Sequence, residues 1–533
     1  MPAAPGAGRP APPAARARPH PPRHGRLAAG LAPSPPGWPP GPPGDVGPVF
    51  AADPLGTLDS LAARHGGVVG VVLAGERAVI VSDPMAAATV LGDASGEIFT
   101  KSGTAFLPGA DITGAGMLTS DGATWRRQRT LATPAFRRAA VEAYGGAMAA
   151  AAGDAARLRW AAAATRDVHA DAHAVTLAVV TRALFGVDVD GGDSGAPSGA
   201  RVLAAVDAAF THLAGAGAAA LRLPAWLPTP GRAAFDGAVA SLDGVVYEII
   251  AERREARARR AAAGPPAPAT SAPVLPCLLD AMLDAAEDAG ERVSDRGLRD
   301  ELVTMLVAGA ETSAIALAWA AALLAHHPDV QADAAAEVEA VLGGRAPTLA
   351  DAGSFPVLEA VLLETLRLMP PAYIVGRCMG GGGEVEASSR WGGGGGRARA
   401  ARHRLPPGTT ILVSPYLMHR SPALWDAPRA FAPSRWAAPL ASARRDGPGG
   451  LRSPSLLASM GPNGAFMPFG AGPRACIGAG FACLEFVLTA AALLNAASLS
   501  PPFPGAPFPS AAPSLTLRPA GAVELALAPR KRR

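Results

Sequence analysis

The sequence predicts a mainly α-helical chain with small β-sheets, and three observations predict it. Ser294 to His327 carries a helix pattern of roughly 30 residues, long against a mean near 12; Ser294 or Asp295 caps it and Pro328 stops it. A second apolar, Ala-rich helix pattern runs from about Ala479 to Ala497. The β-rich runs are short: Val68 to Leu73 and Ala78 to Ser82, joined by Gly75-Glu76 as a hairpin.

Composition removes several functions. The 533 residues carry a formal charge of +4, and five arginines precede the first acid, Asp45. The rest is therefore close to neutral, and nucleic-acid binding has no electrostatic support. The four cysteines, Cys277, Cys378, Cys476 and Cys483, have the spacing of neither a zinc site nor a disulfide framework, which suits a reducing compartment. Lysine appears only at Lys101 and Lys531, read here as coding bias. Residues 1–44 are rich in Pro, Ala and Arg and cannot bury a core. They read either as a disordered basic tail or as a transit peptide, which would place the protein in a plastid instead of the cytoplasm; Ser34 is the only serine, where transit peptides are Ser-rich. No N-terminal run of 18 or more apolar residues occurs, so no transmembrane anchor is expected there.

From Asp53 the elements follow from local signals. Leu55 to His65 is a helix that Gly66-Gly67 ends, and Asp83-Pro84 opens the next, with Asp as cap and Pro in the first turn. Trp125 and Arg129 are four apart, so one helix face offers an indole N–H and a guanidinium to a single carboxylate. Leu203 to Pro230 is apolar, with Trp226 among prolines, and reads as a packed helix pair. Residues 254–276 run from charged helix into a surface linker. In the middle of the long pattern lies Ala308-Gly309-Ala310-Glu311-Thr312-Ser313. Gly309 permits close approach of another surface, and Thr312 can bond the Ala308 carbonyl. A carboxylate beside a hydroxyl in an apolar helix is costly unless used: it either caps a kink or relays protons. Glu364 and Arg367 share a helix face at i, i+3, and Arg435 follows in Phe431-Ala432-Pro433-Ser434-Arg435-Trp436. Two Gly runs flank Glu384 to Trp391, so 380–403 reads as a low-complexity insertion.

The chain is organised around Phe466-Met467-Pro468-Phe469-Gly470-Ala471-Gly472-Pro473-Arg474-Ala475-Cys476-Ile477-Gly478. One cysteine sits in a loop of Gly, Pro and small residues, which lets backbone approach a flat object. Backbone N–H groups and the following helix N-terminus favour thiolate over thiol at Cys476. Phe469, Gly470, Gly472, Arg474, Cys476 and Gly478 match the cytochrome P450 haem-binding signature at each diagnostic position. The chain thus resembles that family from about Pro39 onward. The resemblance implies a single-domain P450 fold over 45–533 with small β-sheets, without a fused flavin or ferredoxin domain. It implies haem b (iron protoporphyrin IX) with Cys476 as the iron ligand, Phe469 packed beside the sulfur, and Trp125, Arg129, Arg377 and Arg474 on the haem propionates. Glu364, Arg367 and Arg435 become a structural lock beneath the haem. Phe99 to Ile112 becomes the loop over the substrate, Pro371 to Val375 pocket lining, and Leu203 to Pro230 a lid that can make peripheral membrane contact. The 380–403 insertion departs from the family, which has a short hairpin there.

Val79-Ile80-Val81-Ser82-Asp83-Pro84, Leu298 to Leu306 and His419-Arg420-Ser421-Pro422 are similar to the plant and algal carotenoid-ring hydroxylase branch. Tyr373-Ile374-Val375-Gly376-Arg377 is nearer bacterial fatty-acid or terpenoid enzymes. The implied function is monooxygenation: O2 as co-substrate, two electrons from a separate ferredoxin or P450 reductase, and hydroxylation of an apolar carotenoid, terpenoid or fatty acid. Glu311 and Thr312 would be its catalytic acid–alcohol pair, since breaking O–O consumes protons. The alternative is a haem-thiolate isomerase or gas-binding protein that does not activate O2, for which that pair is not needed.

Overall fold

Local chemistry sets where the elements begin and end. In a computed structural model, which describes residues 34–101, 110–186, 232–263, 277–387, 401–445, 457 and 459–530, Asp53 caps the helix Pro54–His65 through a bond from the Gly56 N–H (2.9 Å), and Gly66 ends it at φ +92°. Asp83 does the same for Pro84–Leu91, accepting from the Ala86 N–H at 2.9 Å. Strands β1 (Val68–Leu73) and β2 (Glu76–Val81) form the expected hairpin, but its turn is Ala74-Gly75, not Gly75-Glu76. Both turn residues have positive φ, +53° and +79°, the primed-turn geometry that matches strand twist. Glu76 thereby pairs with Leu73.

The hairpin is one edge of a five-stranded sheet with β3 (Phe99–Thr100), β4 (Val375–Met379) and β5 (Thr410–Val413), in the order β1-β2-β5-β4-β3. The β2–β5 pair is parallel and the rest antiparallel. A parallel pair requires a crossover, and this one carries most of the helical chain. At its centre is the helix Asp295–His326, capped by Ser294 as expected (Gly297 N–H to Oγ, 3.1 Å) and buried nearly all round. Such a helix is a core element. It packs against the flanking helix Val168–Phe185, the clamp helix Pro356–Leu368 and the cysteine helix Ala479–Ala496. The central and cysteine helices are long and apolar enough to cross a membrane, but 78% of each apolar window is buried inside the protein. A three-stranded sheet (Ala164–Asp167, Glu524–Pro529, Ala497–Ser500) ties the end of the cysteine helix to the start of the flanking helix.

Three boundaries differ from the sequence reading. Residues 35–44, counted with the tail on composition, belong to the compact unit Pro35–Arg533, and the Pro40 carbonyl accepts the Gly70 N–H of β1 at 2.9 Å. The linker assigned to 254–276 is helical as far as Ala263, where Arg254 and Arg257 still find acidic partners. The insertion assigned to 380–403 is strand at both ends: Gly383–Ala387 pairs antiparallel with Ala401–Leu405, and Val385 and Leu405 are fully buried. Period-two burial there was masked by the glycines beside it. Residues 102–109 of the loop Phe99 to Ile112, and all of Leu203 to Pro230, lie outside the described residues.

Candidate active site

The cysteine loop is shaped by two left-handed glycines, Gly470 (φ +69°) and Gly472 (φ +68°). At Gly472 space forbids a side chain as well, because a Cβ would lie 2.0 Å from the Leu91 carbonyl oxygen. The loop closes where the Cys476 N–H donates to the Phe469 carbonyl at 2.8 Å. Gly478 is the N-cap of the cysteine helix, and its carbonyl accepts the Ala482 N–H at 2.8 Å. Phe469 is half-buried and packs against the helical core. Cys476 keeps accessible surface although burial is the largest influence on its thiol. The expected preference for thiolate is not met by the protein alone. Burial pushes the thiol up, and the Gly478 N–H and the Arg129 charge, which act in the expected direction, do not overcome it.

Cations gather beside this loop. Arg129 donates to the Ala475 carbonyl at 3.0 Å. Arg474 pairs with Asp121 at 2.5 Å, donates to the Ser120 carbonyl at 2.8 Å, and stacks its guanidinium 4.5 Å from the Trp125 ring. Its Nε is buried without a hydrogen-bond partner among the described residues. Arg377, 3% exposed, donates to the Gly376 carbonyl (2.8 Å); burial first, then the Arg474 charge, pull it down to about 10. Lys101 was missed as a site residue. Its ammonium donates to the Leu118 carbonyl at 2.6 Å, and burial, then Arg377 and Arg474, hold it well below the ordinary lysine range. One of only two lysines therefore stands in this group, which coding bias does not account for. Asp121 and Asp93 offset the charge only in part.

On the central helix, Thr312 Oγ1 donates to the Ala308 carbonyl at 2.7 Å, as the sequence predicts. Met305, Ala308, Gly309 and Thr312 stay accessible while their neighbours are buried. Their i, i+3, i+4, i+7 spacing makes one stripe. The surface that Gly309 admits is Val180 of the flanking helix, 3.2 Å from where a Cβ would stand. Glu311 turns instead toward the flanking helix, its Oε2 3.8 Å from His173 Nε2.

Behind the cysteine loop, Glu364, Arg367 and Arg435 come together. Glu364 Oε1 accepts from Arg367 Nη2, Arg435 Nε and the Ala432 N–H, each at 2.9 Å. Its Oε2 accepts from Arg367 Nε at 2.8 Å and Trp436 Nε1 at 3.0 Å. Burial pushes the Glu364 carboxyl up, but the Arg367 bonds, with Ala432 and Arg435, hold it below the ordinary range. Trp436 and His419 were missed here, although both lie in quoted strings. The His419 carbonyl accepts from Arg367 Nη1 (2.7 Å) and its Nε2 from the Met467 N–H (3.0 Å), joining the clamp to the cysteine loop. Burial pushes its imidazole down to about 3, so it is neutral. Two buried carboxyls also went unremarked. Glu301, on the central helix, and Glu485, on the cysteine helix, are each pushed up to about 8 by burial and are protonated at neutral pH. Glu485, the lone acid of the helix Ala479–Ala496, was the available signal; Glu301 stands beside Asp300 and gave none.

The family described as Cytochrome P450 matches residues 35–523. Cyclooctatin synthase of Streptomyces melanosporofaciens is 32% identical over 450 residues, 84% of this chain and 85% of that protein. Protein LUTEIN DEFICIENT 5, chloroplastic, of Arabidopsis thaliana is 28% identical over 461 residues, 82% of this chain and 68% of that one. The crystal structure of the cytochrome P450DA heme domain superposes with a TM-score of 0.71 at 25% identity, covering 92% of this chain and 98% of that chain. With an accessible cysteine in its glycine loop, cations beside that loop and this family match over most of its length, the chain belongs to the cytochrome P450 family and is an oxidoreductase of the P450 monooxygenase type.

Proposed function

We propose that this protein uses haem b, bound through Cys476, to hydroxylate an apolar isoprenoid. The observation that carries the reading is Cys476: a cysteine in a glycine-shaped loop that keeps accessible surface although burial dominates its thiol. The residues present fit a flat dianionic macrocycle. Lys101, Arg129, Arg377 and Arg474 supply cationic donors for propionates, and the buried, unpartnered Nε of Arg474 is a donor in search of an acceptor. Trp125 braces the Arg474 guanidinium, Phe469 packs beside the loop, and Gly478 leaves the sulfur uncrowded, since even an added Cβ would stand 3.9 Å away. A thiolate-bound haem supplies O2 activation, because the thiolate pushes electron density that favours O–O cleavage. The accessible stripe Met305, Ala308, Gly309 and Thr312 would then line the side of the site that the central helix supplies. Its small residues leave room for a bulky apolar ligand, and Thr312 places a hydroxyl there for proton transfer. Glu311, one residue before it, holds the proton. Glu364, Arg367 and Arg435 keep the cysteine loop in place from behind through His419.

Relatives named for cyclooctatin and for lutein support an isoprenoid over a fatty acid. A separate ferredoxin or reductase supplies the electrons. Residues 1–44, acting as a transit peptide, would place the enzyme in a plastid, a reading the chloroplastic relatives support; import of these residues fused to a fluorescent protein tests it. The central test is the reduced, CO-bound spectrum of Cys476→Ser. Loss of the thiolate-type Soret band is expected, and its survival would overturn the assignment. A screen of cyclic terpenes, carotenoids and fatty acids for a low- to high-spin Soret shift then decides the substrate class.

A further inference from the structure

The flanking helix Val168–Phe185 meets the central helix through one face. Val180 packs at Gly309, Thr176 Oγ1 donates to the Ala310 carbonyl at 2.9 Å, and His173 Nε2 stands 3.8 Å from Glu311 Oε2. These positions fall at i, i+3 and i+7, so they line up along that face. The Thr176 bond and the Gly309 contact set the register between the helices, and that register keeps His173 opposite Glu311. The two partners differ in access to water: the His173 side chain is 20% exposed and that of Glu311 11%. Imidazole is the side chain that both takes up and releases a proton near neutral pH.

We propose that His173 is the outer station of the proton path into the active site, reprotonated by solvent and discharging to Glu311. The proposal rests on the reading of Glu311 and Thr312 given above. The proton leaves the His173 N–H for the Glu311 carboxylate. The carboxylic acid then turns about its side-chain torsions and gives that proton to the Thr312 hydroxyl, which passes on its own proton on the accessible side of the helix. Solvent restores the proton on His173, and no electrons move. Beside it, one turn back, is His169, and the charged groups that act on His169 are Asp167 at the helix start, His173 itself and Arg518 on the strand Leu517–Pro519. His169 is held down by burial and, among these charges, by those of His173 and Arg518, with Asp167 acting the other way. His169 thus favours neutrality, and it is His173, not His169, that stands opposite Glu311.

The experiment uses the haem-loaded protein and two readouts. The first is product and peroxide formed per reductant oxidised, from roughly pH 6 to 9, in wild type, His173→Gln, His173→Leu and Thr312→Ala. Both His173 variants are expected to lower product per reductant by about tenfold, less than a direct general acid would because water partly substitutes. The second is the His173 imidazole titration by NMR in the reduced, CO-bound, diamagnetic protein. Its pKa should fall in Glu311→Gln, because the carboxylate that favours the imidazolium is gone. Wild-type coupling in both His173 variants, with Thr312→Ala uncoupled, would overturn the role of His173 and leave the acid–alcohol reading standing. Coupling unchanged in Thr312→Ala as well would overturn both. If a His173 variant fails to take up haem, the titration decides: an imidazole indifferent to Glu311→Gln overturns the proposal.

Discussion

Replacing Arg367 by alanine tests the clamp most directly. The side chain is 0% exposed and makes five hydrogen bonds: two to Glu364 at 2.8 and 2.9 Å, and three to the carbonyls of His419 (2.7 Å), Pro428 (2.6 Å) and Ala430 (2.9 Å). Breaking a buried ion pair from one side costs about 3–5 kcal/mol, because the other charge stays buried. Each abandoned carbonyl adds on the order of 1 kcal/mol. Glu364 keeps Arg435, Ala432 and Trp436, which limits its own loss. The total, about 6 kcal/mol at that lower end, is comparable with the whole stability of a typical domain. Haem should be lost with it, since the His419 carbonyl and ring link Arg367 to Met467 at the start of the cysteine loop. Arg367→Lys keeps the charge but not the planar fork and should recover only part. Combining Arg367→Ala with Glu364→Gln should be milder than the sum of the two, as the stranded carboxylate is gone. Urea unfolding followed by tryptophan fluorescence, with the Soret-to-protein absorbance ratio for haem, measures all of this. A haem-replete Arg367→Ala protein with the wild-type midpoint would refute the clamp. The pH dependence follows from the depressed Glu364 carboxyl: its contribution is complete above the ordinary 4.5 and is lost as pH falls through the lower folded value.

Three further predictions concern single side chains. Glu485 has the opposite sign: a folded value near 8 against an ordinary 4.5 means stability complete below pH 4.5 and lost as pH rises toward 8, about 3 kcal/mol of it by pH 7. Glu485→Gln should flatten the decline in thermal midpoint between these limits, and an unchanged slope would show that the carboxyl ionises in the fold. Thr312→Ala should leave haem content and ligand-induced spin shift intact while product per reductant falls and peroxide rises. Thr312→Ser should rescue in part, since it lacks the methyl that restricts its rotamer, and equal coupling in all three proteins would remove the hydroxyl from the mechanism. Gly472→Ala should cost about 2–4 kcal/mol, combining left-handed strain with a Cβ driven into the Leu91 carbonyl, whereas Gly470→Ala, with its nearest neighbour at 3.9 Å, should cost only the strain, about 1 kcal/mol. Equal midpoints for the two glycine variants would refute the close contact.

What could be read without the fold was the part that neighbours along the chain control. Asp83 and Ser294 announce their helices because a cap bonds an N–H two or three residues away. Glu364 and Arg367 announce their pairing because i, i+3 spacing is fixed by helix pitch, and the ten residues from Phe469 to Gly478 carry the cysteine loop whole. What needed the tertiary structure was set by partners far along the chain, or by burial. His173 meets Glu311 across 138 residues of sequence, a juxtaposition made by Thr176 and Gly309 and written in no local pattern. Lys101 looked like a compositional accident until β3 delivered it beside Arg377 and Arg474. The glycine runs around Glu384 hid a hairpin whose stability lies in the buried Val385 and Leu405 side chains, not in propensity. Protonation states depended most on the fold. Spacing pointed to a stabilised thiolate at Cys476, yet desolvation acts on the charged form from every direction at once, and that sum is known only when the surrounding atoms are in place.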